Sequence, residues 1–105
     1  MAERLRKAVD ERFYLSRASG GGTLRREIWG DRDGRAVRYS LVYINHLIYG
    51  GDNGRVLGYD SAHGSHHRHF MGKVAEVSFE SFEAVEARFQ KEWKSLAREV
   101  RRAKD

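Results

Sequence analysis

The chain has 105 residues, 20 Lys and Arg against 15 Asp and Glu for a formal net charge of +5, and 40% hydrophobic residues. That suits one ordered α+β domain over residues 1–105 with one modest core. Cysteine is absent, so disulfides and thiolate zinc sites are excluded, and no apolar run approaches the roughly 20 residues that span a bilayer.

Met1 to Lys7 lacks the apolar segment of a secretory signal. A cytoplasmic protein with no membrane partner is the expectation. The basic excess raises the local concentration of polyanions and points to RNA or DNA as a partner. Proline is absent, so no element is interrupted by that breaker.

Residues 2–16 predict a short amphipathic helix, with Leu5, Val9 and Phe13 on one stripe. Gly20-Gly21-Gly22 breaks the pattern and reads as a connector. Thr23 to Trp29 predicts a strand, and Asp31-Arg32-Asp33-Gly34 a turn. Arg35 to Tyr49 reads as a long central strand, with a bulge at Asn45-His46 and His46 in a core or interface position. Gly51-Asp52-Asn53-Gly54 signals a tight hairpin and Arg55 to Tyr59 the return strand.

Residues 60–69 follow as a His-rich segment, with Gly64 and Ser65 as a loose loop, and Lys73 to Phe79 as one more strand. Ser81 is placed to cap a last helix, with Glu83 in its first turn. Phe82, Val85, Phe89, Trp93, Leu96 and Val100 form its apolar stripe, so Phe89 and Trp93 belong to the core rather than to a base-stacking platform. The expected architecture is a small antiparallel sheet of about four strands flanked by an N-terminal and a long C-terminal helix.

The chemistry concentrates in Tyr59-Asp60-Ser61-Ala62-His63-Gly64-Ser65-His66-His67-Arg68-His69, which holds four of the five histidines. Histidine titrates near neutral pH and can move a proton or bind a metal. As a metal site, His63, His66, His67 and His69 with Asp60 suit zinc, nickel or copper. If 66–69 is extended, however, His67 and His69 share one face and His66 takes the other, so convergence of all four is not expected. The reading adopted is no metal and no cofactor. As an acid–base site, two histidines and a cation supply what cleavage of RNA by its own 2′-oxygen requires. His66, His67 and His69 are the candidate proton-transfer groups and Arg68 or Lys73 the candidate cation. Asp60 would fix a tautomer, and Tyr59 would donate a proton or offer a stacking face. Arg55, Lys73 and His63 are candidate substrate-binding residues. A solvated, non-catalytic His-rich recognition loop that binds nucleic acid or protein is the alternative.

Gly54, Arg55, Tyr59, Asp60, Ala62, His66, His67 and His69 fall in the pattern G-R-x-x-x-Y-D-x-A-x-x-x-H-H-x-H. This pattern resembles the TumE-type toxin family of prokaryotic toxin–antitoxin pairs. One departure is Ser61, where many relatives carry Asn. The resemblance covers roughly the second half of the chain and the preceding strand. It implies a growth-inhibiting type II toxin that acts on RNA, with a helix-turn-helix antitoxin as partner. A homo-oligomer is compatible with it.

Overall fold

The fold was described from a computed structural model, which places residues 5–62 and 64–103. Six strands run in chain order as an antiparallel meander: β1 (Arg6–Tyr14), β2 (Thr23–Gly30), β3 (Ala36–Ile44), β4 (Arg55–Ala62), β5 (Ser65–Phe70) and β6 (Lys73–Glu76). One α-helix, α1 (Phe82–Ala103), follows.

This corrects the expectation of about four strands between two helices. The first helix is absent because Arg6–Tyr14 is strand β1. A spacing of four between Val9 and Phe13 is even, so it keeps side chains on one face of a strand as well as near one stripe of a helix. Pairing with β2 decides between them. Val9 lies opposite Ile28 and Phe13 opposite Leu24, while Glu11 accepts a hydrogen bond from Arg26 at 2.7 Å and Lys7 pairs with Glu27 at 2.6 Å. A bulge between Lys7 and Val9 puts Lys7 on the other face.

The second unforeseen strand is β5. Gly64, at φ +78°, lets the chain reverse directly after β4, and the His-rich run then pairs along β4 instead of forming a loop. Two expected strands are shorter than read. The long run ends at Ile44 because the buried Asn45 turns the chain there. Its amide donates to the Gly20 carbonyl and to the Tyr43 hydroxyl, and its Oδ1 accepts from the Leu47 N–H. His46 is exposed on that turn rather than in the core. The last strand stops at Glu76, and Phe79 folds back toward β5.

Helix α1 begins as expected, with the Ala84 N–H donating to Ser81 Oγ at 3.1 Å. It lies across one face of the sheet. Val85, Phe89 and Ala97 bury against Leu24, Ile28, Tyr39, Leu41, Tyr43, Leu57 and Tyr59. Phe89 meets the Tyr59 ring edge-on at 6.4 Å and Trp93 meets Tyr43 at 6.0 Å; Phe89 is a core residue, as its spacing predicted, and Trp93 packs half-buried against the core. Near the far end of the helix the backbone passes close to the β1–β2 connection. A Cβ on Gly20, which has φ +104°, would sit 2.5 Å from the Ala97 carbonyl oxygen. Among the described residues no helix is long and apolar enough to cross a membrane.

Candidate functional site on the helix-free face

Residues opposite each other in an antiparallel pair point to the same side, so the registers sort every strand residue onto one of two faces. The helix-covered face takes Ile28, Tyr39, Ser61 and His66 in one cross-strand row, and Arg26, Leu41, Tyr59 and Arg68 in the next. The helix-free face takes Glu27, Ser40, Asp60, His67 and Glu76 in one row. Its neighbour holds Arg25, Val42, Gly58, His69 and Val74.

The structure therefore divides the expected site. His67, His69 and Asp60 come together on the free face. Asp60 lies directly opposite His67 across the β4–β5 pair, and His69 is one row along. One carboxylate serves both rings: Asp60 Oδ2 is 2.9 Å from His69 Nε2, and Oδ1 is 3.6 Å from His67 Nδ1. An ionised carboxylate only accepts, so the His69 nitrogen facing it carries the proton. The two imidazoles differ in access. The His69 side chain is 14% exposed and its Nδ1 is enclosed without a partner. The His67 side chain is 31% exposed, and with Nδ1 turned to Asp60 its Nε2 is the nitrogen left for a ligand.

Arg55 brings an arginine stem to this part of the face. Gly58 has no side chain, and Arg55 occupies the room this leaves. A Cβ on Gly58 would meet Arg55 Cδ at 3.1 Å and His69 Cβ at 3.7 Å. Arg55 Nε donates to Asp52 at 2.8 Å, which steers the side chain. Further along the face, Trp29 stands between Lys7 and Arg38, whose cationic groups lie 5.3 Å and 5.0 Å from its ring centre. Arg25 pairs with Glu27 at 3.0 Å. The sequence reading missed Arg25, Trp29, Arg38 and Ser40. The Asp31–Gly34 turn carries the signal that would have found Arg38, because closing that hairpin sets Trp29 opposite it.

The remaining candidates lie elsewhere. His66 is on the covered face, where Nδ1 meets the Tyr39 hydroxyl at 2.9 Å and the ring stacks on Phe79 at 4.1 Å and 9°. Tyr59 is 1% exposed beneath α1. Its hydroxyl donates to Glu92, and Arg68 bridges the same pair. Arg68 cannot serve as the cation beside His67 and His69, because it sits between them in sequence and alternation sends it through the sheet. Lys73 lies opposite Phe70, on the covered side and exposed at the β5–β6 turn. His63 lies outside the described residues. Among the described residues no group of three His, Asp or Glu side chains is placed to share a metal ion. Asp60 is engaged by two rings, and the ring of His66 is on the far side.

The covered cluster has its own electrostatics. Burial pushes the Tyr59 hydroxyl up, and the Glu92 charge adds to this. Burial would raise the Glu92 carboxyl too, but hydrogen bonds from Arg68 and Tyr59 and the charges of Arg68 and Arg88 outweigh it and hold the group below its ordinary value. Burial and the nearby charge of Asp60 push Tyr39 up to about 12, so its hydroxyl stays protonated next to His66 at neutral pH.

No protein-family model matches the chain, and no curated protein or solved structure matches it.

Proposed function

We propose that this chain is the toxin of a type II toxin–antitoxin pair, a metal-independent endoribonuclease that works in the cytoplasm with His67 as its proton-transfer group. The observation that carries the reading is one carboxylate, Asp60, hydrogen-bonded to His69 and facing His67 at 3.6 Å on the helix-free face, with the Arg55 stem close by over Gly58.

In this mechanism RNA lies across the free face. His67 Nε2 takes the proton of a 2′-hydroxyl as its oxygen attacks the adjacent phosphorus. Asp60 faces Nδ1 at 3.6 Å, and its charge stabilises the imidazolium that forms. The P–O5′ bond then breaks and the same proton passes to the departing 5′-oxygen. The products are a 2′,3′-cyclic phosphate and a 5′-hydroxyl. Arg55 offers positive charge to the phosphorane-like transition state, and His69 acts as a positioning residue by holding the other carboxylate oxygen. The expected pair of proton-transfer imidazoles thus becomes one accessible, half-buried ring and one supporting ring. Growth inhibition and a helix-turn-helix antitoxin rest on the motif resemblance.

The test is induced expression of wild type against His67→Ala, followed by RNA cleavage with purified proteins. A proton-transfer group contributes about 10²–10⁴-fold, so His67→Ala should cleave at least a hundredfold more slowly and no longer arrest growth. Wild-type activity in His67→Ala, or 5′-phosphate ends formed only with added metal, overturns the reading. A second reading is a non-catalytic nucleic-acid-binding face, favoured by Trp29 set between Lys7 and Arg38. It predicts salt-sensitive RNA binding with no cleavage.

A further inference from the structure

We propose that β1 is the interface of a symmetric dimer, in which two copies of this chain join antiparallel through their β1 strands and continue the sheet from one subunit into the other. The proposal stands apart from the chemistry assigned to His67.

Strand β1 is nine residues long and lies at the edge of the sheet, with β2 as its only strand neighbour among the described residues. An edge of this length is a template for another strand. It is also apolar where it need not be: Phe13 is 52% exposed and Tyr14 74% exposed. The backbone states which residues can pair outward. The Leu15 N–H donates to the Gly22 carbonyl at 2.9 Å, so the hydrogen-bonding groups of Leu15, Phe13, Glu11 and Val9 point toward β2. Those of Tyr14, Arg12 and Asp10 point away from the sheet.

A symmetric pairing must set outward residues opposite outward residues, and three registers that do so are centred in the middle of β1, on Asp10, Glu11 or Arg12. Centred on Asp10, it opposes two aspartates. Centred on Arg12, it opposes two arginines. Centred on Glu11, it sets Asp10 opposite the partner's Arg12 and Arg12 opposite the partner's Asp10 on the helix-free face. On the other face it sets Val9 opposite the partner's Phe13. Opposite charges and apolar pairs directly across a strand pair are the stabilising combinations, and like charges the destabilising ones. The two central Glu11 carboxylates are the only like-charged pair among residues 9–13 in this register. Each already accepts a hydrogen bond from its own Arg26 at 2.7 Å, which offsets their repulsion. Charge and shape therefore select one register of the three, and the occupant that fits it is a second copy of this chain. The two-fold axis runs perpendicular to the sheet. Both helices then lie on one side, and the two His67–Asp60–His69 clusters share the other.

Sedimentation of the purified chain tests this directly. Wild type should run as a dimer, Asp10→Arg or Arg12→Asp alone as a monomer, and the doubly exchanged Asp10→Arg/Arg12→Asp as a dimer again. The register has an independent readout, because the chain has no cysteine. Residues at the centre of a non-hydrogen-bonded pair have Cα atoms about 4.5 Å apart, within disulfide reach. Glu11→Cys should therefore form a disulfide-linked dimer under mild oxidation, and Phe13→Cys should not. A monomeric wild type overturns the proposal, as does a charge exchange that fails to restore a well-folded double variant. So does cross-linking at Phe13→Cys without cross-linking at Glu11→Cys.

Discussion

The two faces of this sheet are built from the same strands yet handle charge in opposite ways. On the covered face two strand arginines are answered from α1: Arg26 by Glu86, and Arg68 by Glu92. These pairs sit at the margins of an aromatic core and fasten the helix at two points along its length. On the free face, charges are answered within the sheet itself, as in Lys7 with Glu27 and Asp60 with His69, and Arg38 rests on an indole. The lesson is that position relative to the helix decides whether a polar side chain in β5 contributes to folding or remains available for chemistry. His66 and His67 are adjacent in sequence and fall on opposite sides of that division.

Stability measurements against urea should expose the division. The largest effect is expected for Phe89→Ala on the covered face, which leaves a cavity under α1 and should cost about 3–5 kcal/mol. Glu92→Gln comes next. It leaves Arg68 without its carboxylate in a half-buried site, and a loss of about 1–3 kcal/mol should appear in the urea midpoint. Glu92 also predicts a pH dependence. Its folded carboxyl lies below the ordinary value of 4.5, so its contribution is fully present above that value and is lost as pH falls through the folded pKa. Wild type should therefore lose stability between pH 5 and acid more steeply than Glu92→Gln, in paired urea titrations. The smallest effect is expected for His67→Ala. Its stability should stay within about 0.5 kcal/mol of wild type, as for other surface changes, while the proposed RNA cleavage falls. A loss of several kcal/mol there would erase the distinction between the faces.

Helix α1 was legible because six apolar residues keep helical spacing over many turns and Ser81 caps the start. Strand β1 was not, because the spacing from Val9 to Phe13 satisfies both periodicities and only the partner strand chooses. Strand β5 was hidden for a different reason: Ser65-His66-His67-Arg68-His69 lacks the apolar alternation that marks a strand, and its pairing comes from the turn at Gly64. Alternation did show that His67 and His69 share a face. It also put His66 on the other face, and the same rule carried into the acid–base reading removes both His66 and Arg68 from the face of His67. The partnership of Asp60 with both rings needs the exact register of the β4–β5 hairpin, and Glu92 reaches Arg68 from 24 residues away, so neither could be read locally.

The tight reversal between Ala62 and Ser65 has a consequence for how this gene can change. A single codon added or removed there would leave a hairpin able to form, but in a register slipped by one. His67 and His69 would then turn inward beneath α1, while Arg68 would swing out and abandon Glu92. An insertion of odd length there would forfeit folding and chemistry together. Viable length variants of this protein should therefore concentrate at other connections, such as the one between β2 and β3.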